Sequence, residues 1–295
     1  MKRPKVLVAL ATVYLVWGST YLALRWVVES LPPMLAAGAR YLLAGSVLLV
    51  LGRIAKKTLP APRMWLRAAP IGLFMFLVGN GFVSLAEREV SSTEAAIVCA
   101  TMPLVTVVFG LAWGERPRAR EIVGLVLGFG GVVVMTVFEL GRSPSAWGSS
   151  LLLLFAPLGW GLGSTLSRRW ALPGGLAGAA LPMIWGGLLA LALGFVMGER
   201  VPPHVPARAV APFFYLVVFG SMIAFTAYQY LLRHAPPAIA TSYAYVNPVV
   251  AMVLGATWGK EPLKASSIVG GLFVVSGVTL LLTTPRPAPQ RSQSG

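Results

Sequence analysis

Ten stretches of about 20 mostly apolar residues follow one another with little between them, and about 20 such residues carry a helix across a bilayer. They cover 6–28, 34–52, 68–86, 92–113, 119–138, 148–168, 177–197, 210–232, 238–258 and 266–284. Short breaks rich in Pro and Gly, "LPP" at 31–33, "PGG" at 173–175 and "APP" at 235–237, join several of them as tight helical hairpins. The linkers around 53–67 and 198–209 are too short to form domains. The N-terminus, "MKRPK" before an apolar run, has the layout of a signal peptide, but the run is too long for one and reads as a retained first span. This predicts an all-α integral membrane protein.

The charge balance agrees. Only 11% of the 295 residues are charged and 57% are hydrophobic, where a soluble domain carries roughly a quarter charged residues. The net charge of +15 does not indicate nucleic acid, because the basic residues sit in gaps between apolar runs instead of forming a soluble face. They indicate topology instead. With the N-terminus in the cytoplasm, sixteen of the 24 Lys and Arg fall on that side and six on the other, with Arg25 and Arg40 inside spans. The positive-inside rule then predicts ten spans with both termini cytoplasmic.

The chain also repeats itself. "PLVTVVFGLAWGERP" (103–117) and "PVVAMVLGATWGKEP" (248–262) share Pro, Gly, Trp-Gly and a closing Pro in one register. Ile122-Val123-Gly124 answers Ile268-Val269-Gly270, Gly131-Val132 answers Gly277-Val278, and "LVWGST" (15–20) answers "LGWGLGST" (158–165). Residues 1–143 and 144–284 therefore read as two five-helix halves, with 285–295 a disordered cytoplasmic tail. Five is odd, so the second half enters the membrane from the opposite side: two inverted repeats, a frequent plan of secondary transporters.

These residues resemble the EamA family of the drug/metabolite transporter superfamily: "WGST" at 17–20, "GNG" at 79–81, the two Pro…Trp-Gly hairpins, and "IVG" after each. Within it, "WGSTYLALRWVVESLPP", "VGNGFVSLAE" and "ATSYAYVNPVVA" are similar to YedA-like exporters. The resemblance implies ten spans, an inverted repeat, export of small metabolites or drugs, and a bacterial inner membrane. The family hairpin often ends in Gly-Glu; Gly114-Glu115 keeps it, whereas Gly259-Lys260-Glu261 moves the carboxylate one place.

Polar groups inside spans are costly and therefore informative. Both Asn residues, Asn80 and Asn247, lie in spans, as does Gln229, the sole Gln outside the tail. Two readings stand for them: lining a substrate cavity, or repairing backbone hydrogen bonds where helices bend. Trp17 and Trp160 match across the repeat and lie mid-span, away from the interface where Trp gathers. With Tyr21, Tyr243 and Tyr245 they are cavity candidates for an amphipathic organic molecule, while Ser19 and Thr20 suit helix packing. Pro103 and Pro248, at matched places, predict a pair of kinks that frees the carbonyls of Cys99 and Ala244. Arg25, Arg40, Glu87 and Glu94 fall toward one end of the first half. Arg40 and Glu87 are the gate or ion-coupling candidates, and Arg25 and Glu94 suit snorkelling to water. The Gly stripes 124, 128, 131 and 270, 277 predict helix contacts, either between the halves or in a dimer, so monomer and homodimer stay open.

No cofactor or metal is expected: there is one Cys, two His and no Asp. There is no GxxxxGK[ST] loop for a nucleotide, no HExxH, and no Asp pair for an aspartyl protease. The expectation is an exporter of small amphipathic, amino-acid-like metabolites or drugs, working by alternating access with protons as the candidate coupling ion. A lipid-linked sugar carrier or lipid flippase is the alternative, and an intramembrane enzyme the reading from another class.

Overall fold

The computed structural model describes residues 3–55, 60–112, 119–140, 144–170, 172, 175–235 and 240–283, and among them every regular element is a helix. In chain order these are α1 (Arg3–Val28), α2 (Pro33–Ile54), α3 (Pro62–Ala86), α4 (Ser92–Cys99), α5 (Met102–Ala112), α6 (Ala119–Leu140), α7 (Pro144–Arg169), α8 (Leu176–Val196), α9 (Ala207–His234), α10 (Tyr243–Thr257) and α11 (Ala265–Leu282). Six of them, α1, α2, α3, α7, α8 and α9, are long and apolar enough to cross a membrane. Shorter apolar helical runs occupy Ser92–Val105, Ile122–Gly131, Val246–Thr257 and Ala265–Gly277.

Two helices widen. Leu73–Gly81 in α3 and Leu216–Ile223 in α9 are π-helical. Each follows a proline, Pro70 and Pro212, that sits inside the preceding α-helical turn. Proline has no N–H to give the carbonyl four residues back, and π stretches are a known way for a helix to absorb such a disturbance. The widened turns carry Gly79-Asn80 and Gly220-Ser221 into the protein interior.

The proline pair in the expected kinks behaves differently. The helix of span four is interrupted at Ala100-Thr101, so Pro103 lies at the second position of α5, where its missing N–H costs little. The carbonyl of Thr101 accepts instead from the backbone N–H of Leu104 (2.9 Å) and Val105 (3.2 Å). Pro248 lies within an unbroken α10. The two prolines occupy matched places, but only the first adjoins a break in its helix.

Glycine governs how closely the helices approach. A Cβ on Gly131 of α6 would lie 2.6 Å from the carbonyl oxygen of Gly270 on α11, and one on Gly277 would lie 2.5 Å from that of Gly124. The glycine stripes therefore bind α6 to α11 within one chain. Gly38 of α2 and Gly187 of α8 do the same: a Cβ on either would lie 2.9 Å from the other's carbonyl oxygen. A Cβ on Gly18 would lie 2.6 Å from the Val250 side chain, and one on Gly161 would lie 3.2 Å from that of Val105. The approach of Gly131 to Gly270 is mirrored by that of Gly277 to Gly124, and the approach of Gly18 to Val250 by that of Gly161 to Val105, when the sequence repeat is followed.

Candidate functional site: a cavity between the halves

A cavity of about 80 Å³ lies where α1, α2, α3, α7, α9 and α10 meet. Aromatic rings from each of these helices line it. Trp17 of α1 and Trp160 of α7 meet edge to face, with centroids 5.3 Å apart. Tyr243 stands 5.0 Å from Trp17, and Phe76 stands 6.2 Å from Trp160. Trp17 is buried, and its indole N–H donates to the carbonyl of Gly220 at 3.1 Å. That carbonyl belongs to the widened turn of α9. A Cβ on Gly79, in the widened turn of α3, would lie 3.3 Å from the ring of Trp160, so the glycine makes room for that ring. Its indole N–H faces Tyr228 and Tyr243 without meeting the geometry of a hydrogen bond.

Two polar residues of the wall, Asn80 and Ser221, come from the same turns. Asn80 donates to the carbonyl of Met75 at 3.2 Å, and its own carbonyl accepts from Ser84 Oγ at 2.9 Å. It both repairs the π turn and lines the cavity. Asn247 also lines the cavity, and its side-chain oxygen, buried, has no partner among the described residues. Tyr21 and Cys99 complete that side. Arg40 of α2 enters the wall opposite. It is 6% exposed, its Nε donates to Ser221 Oγ at 2.8 Å, and its guanidinium lies 4.7 Å from the centroid of the Tyr41 ring.

Of the residues singled out in the sequence, Trp17, Tyr21, Asn80, Trp160, Tyr243 and Asn247 all line this cavity. Gln229 does not: it pairs with Ser167 at 3.2 Å, buried among α7 and α9. The Tyr245 side chain and the "WGERP" hairpin lie outside what is described. Ser19 and Thr20 turn their hydroxyls to their own helix, onto the carbonyls of Val16 and Trp17. Arg40, a gate or ion-coupling candidate from the sequence, stands in the cavity wall. Sequence reading missed Ser221, Gly220 and Phe225, whose one visible signal was Pro212 standing where Pro70 stands in the first half.

The other charged residues cluster where α1 ends. Arg25 forms an ion pair with Glu29 (3.3 Å) and donates to the carbonyls of Glu87 and Val90. Glu261, in the second Trp-Gly hairpin, caps α4. It accepts from the backbone N–H of Ser92 (3.0 Å) and Thr93 (3.4 Å) and from both hydroxyls. Lys260 before it takes φ 53°, the left-handed region a non-glycine residue seldom enters, and so swings the carboxylate onto the helix end. Lys264 pairs with Glu94 at 2.9 Å. Glu199 likewise caps α2, accepting from Met34 N (3.2 Å) and Leu35 N (2.9 Å). Helix N-termini attract carboxylates because their N–H groups are unpaired and the dipole is positive there. Arg25 and Arg40 both act on Glu87 electrostatically, while Glu94 pairs with Lys264.

Glu87, one residue past the end of α3, is fully buried, with both carboxylate oxygens unpartnered among the described residues. Burial pushes its carboxyl well above the usual carboxylate range. Nearby Glu261 adds to the shift, while Arg25 and Arg40 oppose it.

An apolar helical bundle with an aromatic and polar cavity at its centre has the form of a membrane transporter. The sequence pattern of the EamA-like transporter family matches residues 4–137 and again 147–283, and the chain belongs to that family. It is a transporter and not an enzyme. It is 40% identical over 276 residues to a protein of Escherichia coli (strain K12) named "Uncharacterized inner membrane transporter YedA", covering 93% of this chain and 90% of that one. It is 25% identical to "Protein PecM" of Dickeya dadantii (strain 3937), covering 90% and 88%. A crystal structure 21% identical in sequence has a similar fold, with a TM-score of 0.67 over 95% of this chain and 96% of that one.

Proposed function

We propose that the chain is a ten-span secondary transporter, built as two inverted five-helix repeats over 1–143 and 144–284, with residues 285–295 as a cytoplasmic tail. It exports small amphipathic metabolites or drugs by alternating access. The carrying observation is the cavity, which draws matched residues from both halves: Trp17 with Trp160, and the widened turns at Gly79-Asn80 and Gly220-Ser221. The reciprocal glycine contacts support the repeat. The name of the Escherichia coli relative supports a bacterial inner membrane, and the Lys and Arg distribution supports cytoplasmic termini.

Alternating access needs contacts that break at one end of the cavity. Glu261 on α4, Lys264 on Glu94 and Glu199 on α2 each join second-half residues to first-half helix ends on the side assigned as external. They close that side, and export requires them to part. Glu87, buried and unpartnered, is the proton-coupling candidate, taking up a proton when that side opens.

An apolar side groove between α1, α9 and α10, bounded by Trp26, Tyr215 and Trp258, favours the lipid carrier as a second reading.

The test is flux through purified protein in proteoliposomes, with and without a pH gradient, using organic acids, amino acids, cationic drugs and a labelled lipid. Saturable flux of a water-soluble compound supports the proposal. Lipid movement alone selects the second reading, and conductance above carrier rates overturns both. A reporter fused after Lys260 tests the architecture, and a cytoplasmic signal there would end the inverted repeat.

A further inference from the structure

Arg40 has five N–H donors and uses one of them, on Ser221. Among the described residues no carboxylate forms an ion pair with it, and Glu87 acts on it only through space. The protein makes room for its planar head: a Cβ on Gly220 would lie 3.0 Å from Arg40 Nη2. Ser221, which holds Nε, and Gly220, which frees the space beside it, are neighbours in the widened turn of α9. One edge of the guanidinium is therefore fixed, while its other N–H groups have no hydrogen-bond partner among the described residues at a cavity wall.

A buried guanidinium that no carboxylate contacts is expensive, and Glu87 reaches this one only through space. The cavity wall contains this one cation and no carboxylate. The group that completes it carries one negative charge and two oxygens in a plane, which a guanidinium fork binds with parallel hydrogen bonds. An ammonium group would find no counter-charge in the same wall. Flat rings set edge to face, Trp17 against Trp160 and Tyr243, fit a flat apolar body beside it.

We infer that the cavity selects compact aromatic carboxylates lacking an ammonium group, with Arg40 as the specificity-determining residue and Ser221 as its positioning residue. This rests on the reading of the cavity as the substrate site.

Cys99, the only cysteine, lines the cavity and reports on it. Purified full-length protein is treated with N-ethylmaleimide in the presence of phenylacetate, phenylacetamide or phenethylamine, which share a ring and differ in charge. Phenylacetate is expected to slow labelling by at least about tenfold, the scale of a charge-assisted hydrogen-bond pair, and the other two are expected not to. Arg40→Gln abolishes the protection, Arg40→Lys keeps part of it, and Ser221→Ala weakens it. Each variant is checked for monodisperse elution, and Ser221→Ala carries the test if Arg40→Gln does not fold. Equal protection by the amine or the amide, unchanged in the variants, overturns the charge assignment and leaves the cavity as the substrate site. Cys99 reacting freely, with no probe of any charge protecting it, overturns both.

Discussion

Trp17 and Trp160 stand at matched places in the two halves and meet with their ring planes at 85°. Their surroundings differ: the indole N–H of Trp17 is bound to Gly220, whereas that of Trp160 has no hydrogen-bond partner among the described residues. A symmetric sequence thus builds an asymmetric wall, with one tryptophan tied to the widened turn of α9 and the other resting on Gly79.

That difference separates two substitutions. Trp17→Phe keeps most of the ring packing and loses one hydrogen bond, a change of about 1 kcal/mol. Trp160→Phe loses no bond and should leave the thermal midpoint in detergent nearly unmoved. Trp17→Ala opens the core and should cost about 3–5 kcal/mol. Equal midpoints for the two Phe variants would mean that the Gly220 bond contributes nothing.

The contact of α6 with α11 makes a sharper comparison between adjacent residues. A Cβ at Gly131 meets backbone at 2.6 Å, while one at Gly130 meets nothing within 4 Å. Gly131→Ala should destabilise by about 1–3 kcal/mol through overpacking. Gly130→Ala should be neutral or slightly stabilising, since alanine favours the helix. Thermal unfolding of both proteins, side by side, checks this.

The helical and membrane character was legible in the sequence because apolar run length is a direct physical requirement of a bilayer. Most of the cavity was legible too: residues such as Trp17, Trp160 and Asn247 are costly at mid-span without a purpose. What escaped depended on helix shape. Ser221 and Gly220 look like ordinary packing residues until the π turn rotates them inward, and no periodicity rule for a regular helix places them there. The place of Arg40 in the cavity wall was not legible for the same reason, since its partner Ser221 was invisible. Gln229 was read as a cavity residue from its polarity alone, but Ser167 satisfies it. The shifted carboxylate of Glu261 could not be given a role until the turn at Lys260 showed where it points.

Glu261 is open to a direct test. Glu261→Ala leaves the backbone N–H groups at the start of α4 without their acceptor and should cost about 1–2 kcal/mol, as lost helix caps do. Glu261→Gln retains one oxygen and should cost less. If these bonds close the external side, Glu261→Ala also speeds labelling of Cys99 by a membrane-impermeant thiol reagent added from that side. Unchanged labelling together with a lowered midpoint would reduce Glu261 to a structural cap.

Glu87 gives the clearest dependence on pH. Its carboxyl is pushed up in the folded protein, by burial first. Above the usual carboxylate range the unfolded chain has lost this proton while the folded chain still holds it. The unfolded state then binds fewer protons, so stability falls as pH rises toward the folded value. Glu87→Gln removes this contribution, and its midpoint should vary less with pH over the same range than that of the parent protein. In proteoliposomes the same variant should lose the dependence of export on a pH gradient while retaining downhill flux of substrate. Full substrate-driven proton movement in Glu87→Gln would remove Glu87 from coupling, and the loss of all flux would assign it to the structure of the loop that Arg25 holds.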